Sequence, residues 1–232
     1  MKSKTTVRNW VVFALAVTVI GFGAIATAGD ESPAQAGEKV GIEGTFVRVA
    51  ENQEGWVVVG YGTANESVGK DWMMLNAGIT LQKGVKGQKL TRDNVVLVTP
   101  SHQEIRLATQ EEIEKARGDL DAMSRADAMI HESIDYFPPG VTRPCRIGFF
   151  TDPSQMQRGM SYDQVDLNNE AACVGRLYFQ VPDGIQLGLY NLDVKLEDSV
   201  VRVPIEIMSK EKAKEFEKQW KEERKKAKHD KH

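Results

Sequence analysis

Four histidines and two cysteines are the residues of this 232-residue chain best suited to nucleophilic, acid–base or metal chemistry. His229 and His232 stand in a charged C-terminal run, which leaves His102 and His131. His102 follows Pro100-Ser101, a turn signal that predicts an exposed imidazole. His131 follows Ile130 at the margin of a helical stripe, the position of a boundary residue more than of a ligand. Neither belongs to a His-Glu-x-x-His helix or a His/Cys zinc spacing, and the chain has no Gly-x-Ser-x-Gly elbow and no P-loop. The reading therefore assigns no catalytic residue, no cofactor and no metal site. Its alternative is an exported hydrolase with a dispersed site near His102 or His131. Asp163, Asp166, Asn168, Asn169 and Glu170 form the densest group of hard oxygen ligands. Calcium takes six to eight such ligands from loops, but the spacing matches no EF-hand, so a solvated acidic loop is expected.

The cysteines depend on the compartment. Cys145 and Cys173 would join as a disulfide under oxidising conditions, closing a loop that contributes about 3 kcal/mol by restricting the unfolded chain. Two separate buried thiols are the alternative. The N-terminus bears on the choice. Lys2, Lys4 and Arg8 precede an apolar run from Trp10 to Ala28 that ends in Ala26-Thr27-Ala28. This is the layout of a secretory signal over residues 1–28, cleaved so that the mature chain begins at Gly29. An uncleaved anchor, making the chain a subunit of an inner-membrane complex, is the alternative, since about 20 apolar residues span a bilayer. Both deliver the body outward because basic flanks stay in the cytoplasm, so the expected location is periplasmic or extracellular.

The formal charge of −3 is unevenly divided. Gly29 to Met208 holds 17 basic against 27 acidic residues, while Ser209 to His232 holds ten Lys/Arg against six Asp/Glu. An acidic body on an exported chain does not suit nucleic acid. The tail reads as a charged helix, with Glu217/Lys221 and Glu222/Lys226 at i,i+4 and Phe216 and Trp220 on one face. Either its aromatics dock back on the body, or they anchor the chain to an anionic surface: lipid headgroups, cell-wall polymers or an envelope protein.

The elements that must position these residues are mostly strands. A leader over residues 29–38 has no apolar period and reads as flexible. Strands are expected from Lys39 to Ala50, Trp56 to Tyr61 and Val95 to Thr99. Met73, Leu75, Ala77, Ile79 and Leu81 alternate with polar or small residues, which predicts a strand with one buried face. Thr109-Gln-Glu-Glu112 is a capping box. Beyond it Ile113, Ala116, Leu120, Met123, Ile130, Ile134 and Phe137 form a three-four stripe whose one charged member is Asp127. The helix is expected to bend or split at Gly118 and to end at Pro138-Pro139-Gly140. Strands are expected again over Arg146–Phe150, Arg176–Val181, Leu187–Leu196 and Val200–Ile207, with an irregular stretch from Thr151 to Ala172. Glu197-Asp198-Ser199 reads as a hairpin turn, and Pro204 puts its strand at an edge or turns its N–H side outward.

These elements predict an antiparallel β-sandwich over residues 39–208, with a helical insertion at 109–137 and a charged helical tail at 209–232. Leu90–Ala108, "LTRDNVVLVTPSHQEIRLA", and Gly175–Val194, "GRLYFQVPDGIQLGLYNLDV", resemble bacterial extracytoplasmic domains of the telokin-like immunoglobulin type. Phe179-Gln-Val-Pro182 stands where those domains carry a Phe-x-Val-Pro strand. The resemblance covers about half the mature chain, implies an immunoglobulin-like sandwich, and brings no catalytic residues. The helical insertion is larger than such domains carry, and the cysteine pair is not one of their diagnostic positions. The expected role is a non-enzymatic binding or scaffolding module of the cell envelope.

Overall fold

The computed structural model describes residues 38–130, 132–141, 145–147 and 164–229. The expected export signal, nearly all of the leader, His131, Asp163 and His232 lie outside them, as do residues 148–150 of an expected strand. Antiparallel strands dominate. One sheet runs β1 (Lys39–Ile42), β2 (Val47–Glu51), β3 (Gly55–Gly60), β4 (Trp72–Leu81), β10 (Cys173–Gln180) and β8 (Cys145–Arg146). Within it β8 and β10 form a two-residue parallel pair in which Cys145 lies opposite Cys173, and the two are joined as a disulfide. The second sheet runs β12 (Val200–Ile207), β11 (Gly188–Lys195), β6 (Val95–Val98) and β7 (Glu104–Arg106). A third holds β5 (Gln88–Thr91) and β9 (Gln164–Leu167). Thus the stretch expected to be irregular contains a strand: two inward residues, Val165 and Leu167, are too short an alternation to stand out in sequence.

The two larger sheets share one core. Val57, Val59, Leu75 and Phe179 come from the first, and Leu97, Leu192, Val203 and Ile205 from the second. Each such side chain, fully buried, contributes about 1.5–3 kcal/mol. On β12 the alternation is complete, with Val201, Val203, Ile205 and Ile207 buried, and the strand lies at the sheet edge as Pro204 allows. At one end the sheets are tied by Glu54, in the β2–β3 turn. Its carboxylate accepts from the Glu197 and Asp198 amides, from Gln88 Nε2 at 2.8 Å and from Ser199 Oγ at 2.6 Å. Burial pushes the Glu54 carboxyl up, but the hydrogen bonds from Ser199, Gln88, Asp198 and Glu197 outweigh it and hold the pKa below the ordinary value.

Three further expectations need correction. First, β4 is buried on both faces, not one: Met74 and Thr80 are fully covered. Two helices, α2 (Gln110–Lys115) and α3 (Arg117–Ile130), place Ile113, Leu120 and Met123 on Met74 and Tyr178. Second, the helical region stops at Ile130, seven residues before Phe137, and residues 132–138 are not helical. The cause is tertiary. A Cβ at Gly78 would meet Phe137 Cζ at 2.4 Å and one at Gly60 would meet Ile134 Cγ2 at 3.0 Å, so bare backbone seats both side chains. Trp56 Nε1 donates to the Tyr136 carbonyl at 2.8 Å. The expected split occurs at Ala116, φ −92° and ψ 10°, before Gly118. The capping box forms as read, with the Glu112 amide donating to Thr109 Oγ1 and the Thr109 amide to Glu112 Oε2. Third, the single strand expected from Lys39 to Ala50 is a hairpin, β1 and β2, interrupted at Gly44-Thr45-Phe46.

Candidate functional site

The bend at Gly44-Thr45-Phe46 is held from both sides by charge. Its amides face Glu132: Thr45 N donates to Oε1 at 3.1 Å and Phe46 N to Oε2 at 2.6 Å. Its carbonyls face Arg48, whose guanidinium donates to Gly44 O at 3.1 Å and Val47 O at 3.0 Å. A Cβ at Gly44 would lie 2.8 Å from Glu132 Oε2, so any larger residue there would displace the carboxylate from the bend. Glu132 follows α3 closely, and this carboxylate therefore links the helical layer to the β1–β2 hairpin.

Arg48 is 6% exposed and lies on the inward side of β2 with Ala50. Its guanidinium sits between two rings, 5.2 Å from the Tyr61 centroid and 5.3 Å from that of Phe216. Burial lowers the Arg48 pKa, partly offset by Tyr61, Glu206 and Glu132, and raises that of Tyr61. Phe216 belongs to α4 (Lys210–His229), which is capped by Ser209, whose Oγ accepts from the Lys212 amide. Just before it, the Met208 amide donates to Asn65 Oδ1 at 2.7 Å. Ala213, Phe216 and Trp220 share one face of α4. Of the two predicted anchors, Phe216 docks on the body. Trp220 is half-buried beside a cleft of about 340 Å³, with Thr45 and Glu132 on the body side and Glu217, Lys221, Arg224 and Lys225 on the helix. Arg224 stacks on Trp220 at 5.3 Å, and Lys221 pairs with Glu217. From Lys221 to Lys226 every residue is exposed. The helix is thus two segments, one packed on the sandwich and one presenting cations to solvent.

A buried polar network lies beneath α3. Asp127, 2% exposed, accepts from Thr63 Oγ1 at 2.7 Å and Asn76 Nδ2 at 2.8 Å, and pairs with Arg176 at 3.2 Å. Arg176 also donates to Ser124 Oγ at 2.6 Å. Thr63 lies in the short helix α1 (Gly62–Asn65). The charged member of the apolar stripe is therefore a positioning group that fixes α3 on the sheet.

His102 is exposed in the β6–β7 turn. Its φ of 63° places it at the left-handed position of a three-residue hairpin loop, Pro100-Ser101-His102, closed by Thr99 N to Gln103 O. Asp166 stands on β9 opposite Lys89, and Asn168 Oδ1 accepts from the Glu170 and Ala171 amides. Among the described residues no three His, Cys, Asp or Glu side chains converge on one point.

Sequence reasoning missed Arg48 and Glu132. An arginine at an inward position beside a glycine bend was the available signal. It also missed two Ser-x-x-Lys spacings, a pattern of Ser/Lys hydrolases. Ser67 is buried in the turn after α1 with Lys70 exposed, while Ser209 caps α4 and Lys212 pairs with Glu206 at 2.5 Å. Both are therefore local structure. Compared with protein-family models, curated proteins and solved structures, the chain matches none.

Proposed function

We propose that this chain is an exported bacterial envelope protein, a non-enzymatic binding module built on an immunoglobulin-like sandwich, which engages an anionic envelope surface through α4 beyond Trp220. The observation that carries the reading is the division of α4. Ser209 to Trp220 holds four Lys/Arg against three Glu, whereas Lys221 to His232 holds six against three Asp/Glu. Most of the tail's positive charge therefore lies past the docked aromatics. Clustered Lys and Arg near an anionic surface contribute about 1 kcal/mol each. A disulfide is the usual mark of an oxidising compartment. Among the described residues no helix is long and apolar enough to cross a membrane.

Fractionation of cells expressing the full chain or a version lacking residues 221–232 tests this. The full chain is expected in the envelope pellet and the shortened one in the soluble exported fraction. Equal pelleting of the two contradicts attachment through α4.

A further inference from the structure

We infer that β1 is a self-pairing edge through which two copies of this chain join their six-stranded sheets about a two-fold axis at Gly41. Among the described residues β1 has β2 on one side and no strand on the other. The Glu43 amide donates to Val47 O, which fixes the ladder phase: Gly41 and Lys39 direct their backbone groups to β2. Val40 and Ile42 therefore direct N–H and C=O to the open edge. Val40 and Ile42 are 47% and 41% exposed, branched apolar residues on an exposed strand beside the buried β2.

The occupant follows from the order of residues Lys39-Val40-Gly41-Ile42-Glu43. Antiparallel pairing centred on Gly41 sets Val40 against Ile42 of the second copy, in register with their outward backbone groups. It sets Lys39 against Glu43 of the second copy, opposite charges at both ends. It also sets Gly41 against Gly41 in a non-hydrogen-bonded pair, where Cα atoms approach to about 4.5 Å. Edge strands are commonly blunted by lysine because like charges repel an incoming copy. Here each lysine meets a carboxylate, so the device that blocks other strands favours this one. Five residues a side fall short of the ~1,200 Å² of a standard interface, so the association is weak and rises with concentration.

The test uses the exported chain with its disulfide intact. Sedimentation velocity up to about 1 mM, the weak end of the affinity scale, should show a monomer–dimer equilibrium, displaced toward monomer at least tenfold by Glu43→Lys. With oxidised glutathione, Gly41→Cys should link to itself. An equal mixture of Val40→Cys and Ile42→Cys should link across variants, while Val40→Cys alone should not. A wild-type chain that stays monomeric throughout overturns the proposal. So does a dimer that Gly41→Cys fails to trap, one trapped equally by Val40→Cys alone, or an edge found paired with another protein's strand.

Discussion

The Arg48 guanidinium carbon lies 5.3 Å from the centroid of the Phe216 ring. This stack joins a helix near the C-terminus to a bend near the start of the sandwich, and Tyr61 closes the other side at 5.2 Å. A desolvated cation–ring contact contributes about 2 kcal/mol. Phe216→Ala is therefore expected to lower unfolding free energy by about 2 kcal/mol, which for a chain of this size shifts Tm by roughly 4–8 °C. Removing residues 221–232 leaves the stack intact and should leave Tm within about 2 °C. Thermal denaturation of the two variants decides whether α4 is divided at Trp220.

Glu54 makes stability depend on acid. Its folded pKa lies below the ordinary carboxyl value, so the stabilisation is full above the unfolded pKa and is lost as pH falls through the folded one. Glu54→Gln should cost about 1.5–3 kcal/mol at pH 7, the range for hydrogen bonds to a charged group. The gap seen at pH 7 between variant and parent should narrow in acid below the usual carboxyl range, as pH falls through the folded pKa. Urea unfolding at neutral and acid pH reads this directly.

Asp127 and Arg176 carry opposite charge under α3. Removing one partner of a fully buried pair costs about 3–5 kcal/mol, and because the Arg176 side chain is 23% exposed the loss is expected at or below the lower end of that range. Asp127→Ala should show that loss, with faster amide exchange in α3 than in β12. Uniform exchange across both elements would mean that the network does not hold the helix.

At His102 the backbone, not the imidazole, sets the expected effect. Left-handed geometry costs a non-glycine residue about 1–2 kcal/mol, so His102→Gly should raise stability by roughly 1 kcal/mol with the fold unchanged. A loss of any hydrolytic activity in this variant would instead favour the dispersed-site alternative.

Local rules carried much of this fold. The capping box at Thr109, the alternation on β12, the Glu197–Ser199 hairpin and the Pro204 edge each depend on neighbours in sequence, and each is found as read. What failed depends on distant residues. The second buried face of β4 needs α2 and α3 to cover Met74, and the end of α3 needs Gly60 and Gly78 to seat Ile134 and Phe137. Within the candidate site Phe216 and Trp220 were legible as one helix face, but Arg48 was not legible as their seat. A lone arginine in a strand reads as a solvent position until a ring from far along the chain covers it.

The central claim is that the exposed cations beyond Trp220 bind an anionic envelope surface. Cosedimentation of the exported chain with phosphatidylglycerol vesicles, phosphatidylcholine vesicles and purified anionic wall polymer tests it most directly. The account predicts binding to at least one anionic surface and none to the neutral one. That binding should vanish for the Arg224→Glu/Lys225→Glu/Lys226→Glu variant and in about 1 M salt, where the Debye length is about 3 Å. Equal binding by the triple variant, or no binding to either anionic surface, would contradict it.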